Sequence, residues 1–172
     1  MILTKKECED IISFGKNFEM TSVLVSPDAH PSGLKKNKLE YDIAYINRTE
    51  QTQWVFDKIS EYLSLEYPTN RISEREYFYL HKFEEGNRFT KHIDKHRQND
   101  WVLVVGGILN DDFEGGKLLT YNPDGELATK MGELYTMDAS ILHEVTEIIK
   151  GVRHSFVFFI EHKDLGLEKV II

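Results

Sequence analysis

The chain has 172 residues, 41% of them apolar and 29% charged, with a formal net charge of −8. That profile fits one soluble globular domain able to bury a core unaided, and the single cysteine, Cys8, excludes an intramolecular disulfide. No apolar run is long enough to span a membrane, and the acidity disfavours nucleic acid as a partner while leaving a local basic patch open.

At the N-terminus no long apolar stretch follows Lys5 and Lys6, so no signal peptide is expected; a reducing, cytoplasmic setting is. Thr4-Lys5-Lys6-Glu7 has the spacing of a capping box, and Ile11, Ile12, Phe14 and Phe18 follow at helical intervals, which predicts an amphipathic helix over 4–18. Residues 26–39 hold Pro27, Pro31 and Gly33 with Lys35, Lys36 and Lys38, the composition of a long loop and a natural place for function. A second helix is predicted over 51–65, with Trp54, Val55, Ile59, Tyr62 and Leu63 on one side to brace a sheet.

From residue 75 the texture changes. Runs rich in aromatic and β-branched residues occur at 75–83, 88–94, 101–109, 117–121, 132–137 and 153–161. Glu85-Gly86-Asn87, Gly115-Gly116, Pro123-Asp124-Gly125 and Lys150-Gly151 punctuate them. Short strands with frequent turns predict a sandwich or barrel. The expected organisation is one α+β, mainly β domain over 1–172, with helical support over 1–70 packed on one sheet of a β core over 71–172.

Residues 92–94 read His-Ile-Asp, a later histidine stands at His143, and Arg153 follows ten residues on. Side chains alternate along a strand, so His92 and Asp94 are expected to point the same way. Two histidines and a carboxylate can occupy one face of a six-coordinate iron and leave three positions open. Arg153 offers a two-pronged partner for a carboxylate. The pattern points to a non-haem Fe(II), 2-oxoglutarate-dependent oxygenase. His96 continues the alternation and is a rival ligand or a neighbour of the metal site; His81, His154 and His162 read as structural or exposed, and His30 lies in the proline-bearing loop.

The wider context sharpens this. Tyr79 to Asp94, with Gly86 in a turn and Phe89 three residues before His92, resembles the approach to the metal site in prolyl 4-hydroxylase-like oxygenases. Leu109-Asn110-Asp111, then Glu114-Gly115-Gly116, looks like that family's Leu-Asn-Asp followed by an acidic residue and Gly-Gly. Gly132-Glu133-Leu134, His143-Glu144-Val145 and Gly151-Val152-Arg153 resemble the segment carrying the last histidine and the co-substrate arginine. The resemblance covers about residues 77–161 and is weaker in the first helix.

The resemblance implies a double-stranded β-helix, or jelly roll, with His92, Asp94 and His143 holding Fe(II) and Arg153 pairing with the distal carboxylate of 2-oxoglutarate. It implies hydroxylation of an unactivated carbon with O2, releasing succinate and CO2. A prolyl residue in a peptide or protein is the favoured substrate, a free amino acid or other small molecule the alternative, and ascorbate an accessory reductant. Ser155 shares a strand face with Arg153 and joins the co-substrate site. The family's tyrosine nine or ten residues before the first ligand is missing: Phe83 and Lys82 stand there. Tyr79, on the same strand face as Phe83, is the expected substitute, with Tyr121 and Tyr135 as unranked candidates. Two rivals stay open. An alkylation-repair demethylase would carry a second arginine where this chain has Phe159. A non-catalytic metal-binding β-barrel module would not need Arg153.

Overall fold

The computed structural model describes residues 3–16, 21–22, 41–95, 100–128 and 130–167. The expectations for Phe18, His30, Lys35, Lys36, Lys38 and His96 fall outside them, as does the long loop read over 26–39.

Helix α1 spans Lys5–Gly15, and Thr4 and Glu7 do form the capping box: the Thr4 hydroxyl accepts from the Glu7 N–H, and the Glu7 carboxylate accepts from the Thr4 N–H at 2.6 Å. It stops short of the predicted residue 18 at a glycine, a poor helix former. Helix α2 spans Gln53–Ser64 and buries Val55, Phe56, Ile59 and Leu63, while Trp54 and Tyr62 pack at its edge.

Twelve strands are assigned among the described residues. They are β1 (Thr21–Ser22), β2 (Asp42–Asn47), β3 (Tyr77–Phe83), β4 (Phe89–His92), β5 (Trp101–Ile108), β6 (Glu114–Gly115), β7 (Leu118–Tyr121), β8 (Gly125–Leu127), β9 (Leu134–Asp138), β10 (Leu142–Val145), β11 (Ile148–Lys150) and β12 (Arg153–Glu161). A large antiparallel sheet runs β1-β2-β3-β12-β5-β9, a small one runs β4-β10-β7-β8, and β6 pairs with β11. The two larger sheets face each other as a jelly roll.

One boundary is corrected. The stretch 1–70 is not helical support alone, because β2 lies inside it and pairs with β3 from Asp42↔Lys82 to Asn47↔Tyr77. Its alternation is short and its outward residues are small or branched. Ala44 and Ile46 turn toward the helices, and Ile43 and Tyr45 toward the interior between the sheets. The short strands β8 and β11 carry too few residues to show a period and are not among the runs read from the sequence.

The large sheet therefore has two different faces. Ala44, Ile46, Phe78, Leu80, Phe156 and Phe158 form one core with α1 and α2. Each fully buried aliphatic or aromatic side chain there contributes about 1.5–3 kcal/mol of transfer free energy. Cys8 belongs to this core, and burial raises its thiol pKa to about 11, so it is neither exposed nor ionised at neutral pH. The opposite face looks into the space between the sheets, where β12 presents Arg153, Ser155, Val157 and Phe159 in turn. No helix among the described residues is long and apolar enough to cross a membrane.

Candidate metal and co-substrate site

The space between the sheets is a cavity of about 290 Å3. It is lined by β2, β3, β5, β9 and β12 on one side and by β4, β7 and β10 on the other, and His92, Asp94, His143, Arg153, Ser155 and Tyr79 all border it.

His92 closes β4 and stands directly opposite His143 of β10 in the antiparallel register. The β9–β10 turn delivers His143 to that place: the Asp138 carboxylate accepts from the Ser140 N–H at 2.8 Å, and the Ile141 N–H donates to the Asp138 carbonyl at 3.0 Å. Asp94 does not lie on the strand, as alternation predicts. Pairing ends at His92, and the N–H groups of Asp94 and Lys95 both donate to the Ala139 carbonyl, at 3.0 and 2.8 Å, which bends the chain. The bend still returns the carboxylate between the two rings. One oxygen of Asp94 lies 3.5 Å from His92 Nε2 and the other 3.5 Å from His143 Nε2.

Such distances are too long for good hydrogen bonds and leave room for a cation shared by all three groups, whose donor atoms lie within 4.8 Å of one another. The imidazoles are prepared for this. His92 Nδ1 sits 2.7 Å from the Thr90 carbonyl and His143 Nδ1 2.9 Å from the Ile141 carbonyl. A carbonyl only accepts, so each Nδ1 carries the proton and each Nε2 turns a lone pair to the centre. Burial, and then the neighbouring His92, hold the His143 pKa below the usual histidine value, which favours the neutral ligand form. Phe89 stacks on His92 with ring centroids 3.6 Å apart and fixes its plane. Two histidines and one carboxylate on one side of an open cavity fit Fe(II).

Arg153 is 2% exposed and lies in the same cavity. Its Nη1 donates to Ser155 Oγ at 2.8 Å, and among the described residues its Nε has no partner and no carboxylate forms a salt bridge with it. Burial lowers its pKa to about 10, so it remains a cation at neutral pH. A buried charge without a counter-charge is costly, and the arrangement calls for an anion. Gly116 permits it: at φ +60° a Cβ there would stand 2.9 Å from the Arg153 side chain. Asn110 holds the start of β12, donating to the Val152 carbonyl at 2.6 Å and accepting from the His154 N–H at 2.7 Å. The sequence shows Asn110 only as part of a motif; its role as a staple on both sides of Arg153 needs the structure.

Tyr79 borders the cavity away from Arg153. It is registered opposite Val157, whereas Arg153 is opposite Phe83, and it packs against Tyr45, Tyr77 and Phe159. Tyr121 is half-buried and does not line the cavity, its hydroxyl bonded to Glu144 and its ring under Lys91. Tyr135 borders the cavity and packs on the cluster that holds Phe83, the residue opposite Arg153, and burial drives its pKa up, keeping the hydroxyl protonated. Gly106 makes space for it: a Cβ there would lie 2.6 Å from the Tyr135 hydroxyl. His81, expected to be structural or exposed, is buried on the cavity wall. Its alternation with Tyr79 and Phe83 on β3 was the available signal.

No family model matches the sequence, and no curated protein matches it. Solved structures do. The fold is that of the 2-oxoglutarate/Fe(II) oxygenases. A Pseudomonas putida prolyl-4-hydroxylase aligns with TM-score 0.66 at 14% identity over 93% of this chain and 89% of its own. A Trichoplax adhaerens prolyl hydroxylase, in complex with a peptide fragment of the hypoxia inducible factor oxygen degradation domain, aligns with TM-score 0.68 at 15% identity over 94% and 79%. A 2OG-Fe(II) oxygenase family protein from Burkholderia pseudomallei aligns with TM-score 0.62 at 15% identity over 90% and 78%. At these identities the likeness is one of fold. In that oxygenase fold the present chain places its two histidines, carboxylate and arginine around one cavity.

Proposed function

We propose that the protein is an Fe(II)- and 2-oxoglutarate-dependent dioxygenase that hydroxylates an unactivated carbon, with a prolyl residue of a peptide or protein as its substrate. The observation that carries the reading is the pairing, in one cavity, of a two-histidine, one-carboxylate cluster with a buried cation that forms no salt bridge among the described residues. A metal-binding module would need the first and not the second.

His92, Asp94 and His143 hold the iron in this reading. When bound, iron supplies oxygen activation coupled to oxidation of the keto acid: one oxygen atom enters the substrate C–H bond, the other enters succinate, and CO2 leaves. The chain's own residues orient the reactants and exclude water. Arg153 receives the distal carboxylate of 2-oxoglutarate, with Ser155 beside it. Tyr135, rather than Tyr79, supplies the tyrosine hydroxyl near that end, because it packs on the cluster that holds Phe83, whose ring centroid lies 5.5 Å from the Arg153 guanidinium. The other end of the large sheet's inner face is an aromatic wall. Trp101 stacks on Phe159 with centroids 4.0 Å apart, and Phe159 meets Tyr79 edge-on at 5.1 Å. Tyr45 adjoins Tyr79 and is 53% exposed. Aromatic-lined grooves favour proline rings, and the Trichoplax relative in fold was solved with a peptide. A chain of net charge −8 is a poor partner for a phosphate backbone.

The test is succinate release from 2-oxoglutarate under Fe(II), with and without ascorbate, against proline-rich peptides and free amino acids, with mass spectrometry for one added oxygen. Hydroxylated peptide is the expected product. Absence of 2-oxoglutarate binding by metal-loaded protein would sink the class. Modification of a free amino acid alone would keep the class and move the substrate.

A further inference from the structure

Resting on the oxygenase reading, we propose that His81 is a second binding residue for the carboxylate received by Arg153, donating to one of its oxygens from Nε2. His81 lies on β3 directly opposite Ser155 of β12 in register, and both side chains face the cavity. His81 is 8% exposed, and its Nε2 has no hydrogen-bond partner among the described residues. Rings enclose it: Tyr41 at 5.3 Å, Phe83 at 6.2 Å and Tyr79 at 6.5 Å between centroids. Buried polar atoms are nearly always paired, and a phenylalanine would fill such an aromatic slot without desolvating a nitrogen. The partner is therefore a ligand.

The neighbours say which part of a ligand. Among the described residues, Arg153 Nε is the other nitrogen bordering this cavity without a partner, and after burial the Arg153 charge is the largest influence on the His81 imidazole, ahead of Asp94 and His92. Ser155 Oγ accepts from Arg153 Nη1 and so aims its own hydrogen away from the guanidinium. Arg153, Ser155 and His81 thus present N–H, O–H and N–H donors from two adjacent strands to one place. Burial and Arg153 keep the imidazole neutral, so His81 adds a donor without a second positive charge. Such a set selects a keto acid with a distal carboxylate over one without.

The test uses zinc-loaded protein without oxygen, with binding read by calorimetry. 2-Oxoglutarate is compared with 2-oxopentanoate, which has the same chain length and no distal carboxylate. His81→Phe should weaken 2-oxoglutarate by about tenfold, one hydrogen bond to a charged group, and leave 2-oxopentanoate unchanged; His81→Gln should restore part of the loss. On wild-type protein, the His81 ring-nitrogen NMR signals should move with 2-oxoglutarate and stay still with 2-oxopentanoate, a readout that needs no variant to fold. Tight 2-oxoglutarate binding with still His81 signals, or an unchanged ratio in His81→Phe, overturns the role of His81 alone. Failure of wild-type protein to bind 2-oxoglutarate overturns the oxygenase reading and this inference with it.

Discussion

His92 and His143 are cross-strand partners on β4 and β10, with ring centroids 4.1 Å apart and each Nδ1 turned to a backbone carbonyl of its own segment. The cluster is thus preset by the sheet rather than assembled by the metal. Replacing either histidine or Asp94 with alanine should raise the Kd for Fe(II) or Mn(II) at least a hundredfold while leaving the fold intact. Calorimetry beside circular dichroism measures both. Normal metal affinity in His143→Ala would remove it from the ligand set and return attention to His96.

Arg153→Ala should raise the Kd for 2-oxoglutarate roughly a hundredfold, on the order of 3 kcal/mol for a poorly paired buried carboxylate, with metal affinity nearly unchanged. Arg153→Lys should recover part of it, since the charge survives and the two-pronged geometry does not. Titration followed by the visible charge-transfer band of the Fe(II) complex decides between this and a purely structural arginine.

Gly106→Ala should act on the co-substrate through Tyr135. The added methyl would meet the tyrosine hydroxyl at 2.6 Å and the Phe156 carbonyl at 2.7 Å, and overpacking of that kind costs about 1–3 kcal/mol. The expected result is a lower melting temperature together with weaker 2-oxoglutarate binding. Tyr135→Phe should reproduce the weaker binding, about three- to tenfold, with little loss of stability. If Tyr135→Phe binds normally while Tyr79→Phe does not, Tyr79 regains the role first read from the sequence.

Asn110→Leu should cost about 2–3 kcal/mol, because it leaves the Val152 carbonyl and the His154 N–H without their partner on either side of Arg153. Denaturant unfolding gives the stability. A variant as stable as wild type would show that the staple is dispensable.

Acid should weaken the metal-free protein through His81. Burial lowers its folded pKa from 6.5 to about 3, so below pH 6.5 the unfolded chain takes up a proton that the folded one refuses. The contribution is fully present above pH 6.5 and is lost as pH falls toward 3. By pH 4.5 the loss is on the order of 3 kcal/mol. His143 and His154 shift in the same direction, so the comparison that isolates His81 is wild type against His81→Phe. The stability gap between pH 7 and pH 4.5 should narrow in the variant; an equal gap would mean that His81 takes up its proton in the folded state.

The sequence by itself determined what depends on local order. The Thr4–Glu7 capping box, the apolar stripe of α2 and the alternation of Arg153 and Ser155 on β12 are properties of neighbouring residues, and propensity and period express them directly. The order and spacing of His92, Asp94, His143 and Arg153 named one chemistry because few other reactions need those side chains in that sequence. Tertiary structure decided the rest. Strand β2 was hidden because six residues with a single alternation gain their strand character from pairing with β3. Asp94 reaches the cluster through a bend that the Ala139 carbonyl imposes from a distant segment, and no local pattern contains that carbonyl. Tyr79, His81 and Phe83 share one strand face and read alike in sequence. Registration against β12 separates them, placing Phe83 opposite Arg153, His81 opposite Ser155 and Tyr79 opposite Val157. Distance from the buried arginine is a property of that register, so which aromatic or imidazole stands nearest Arg153 is decided only when the strands pair.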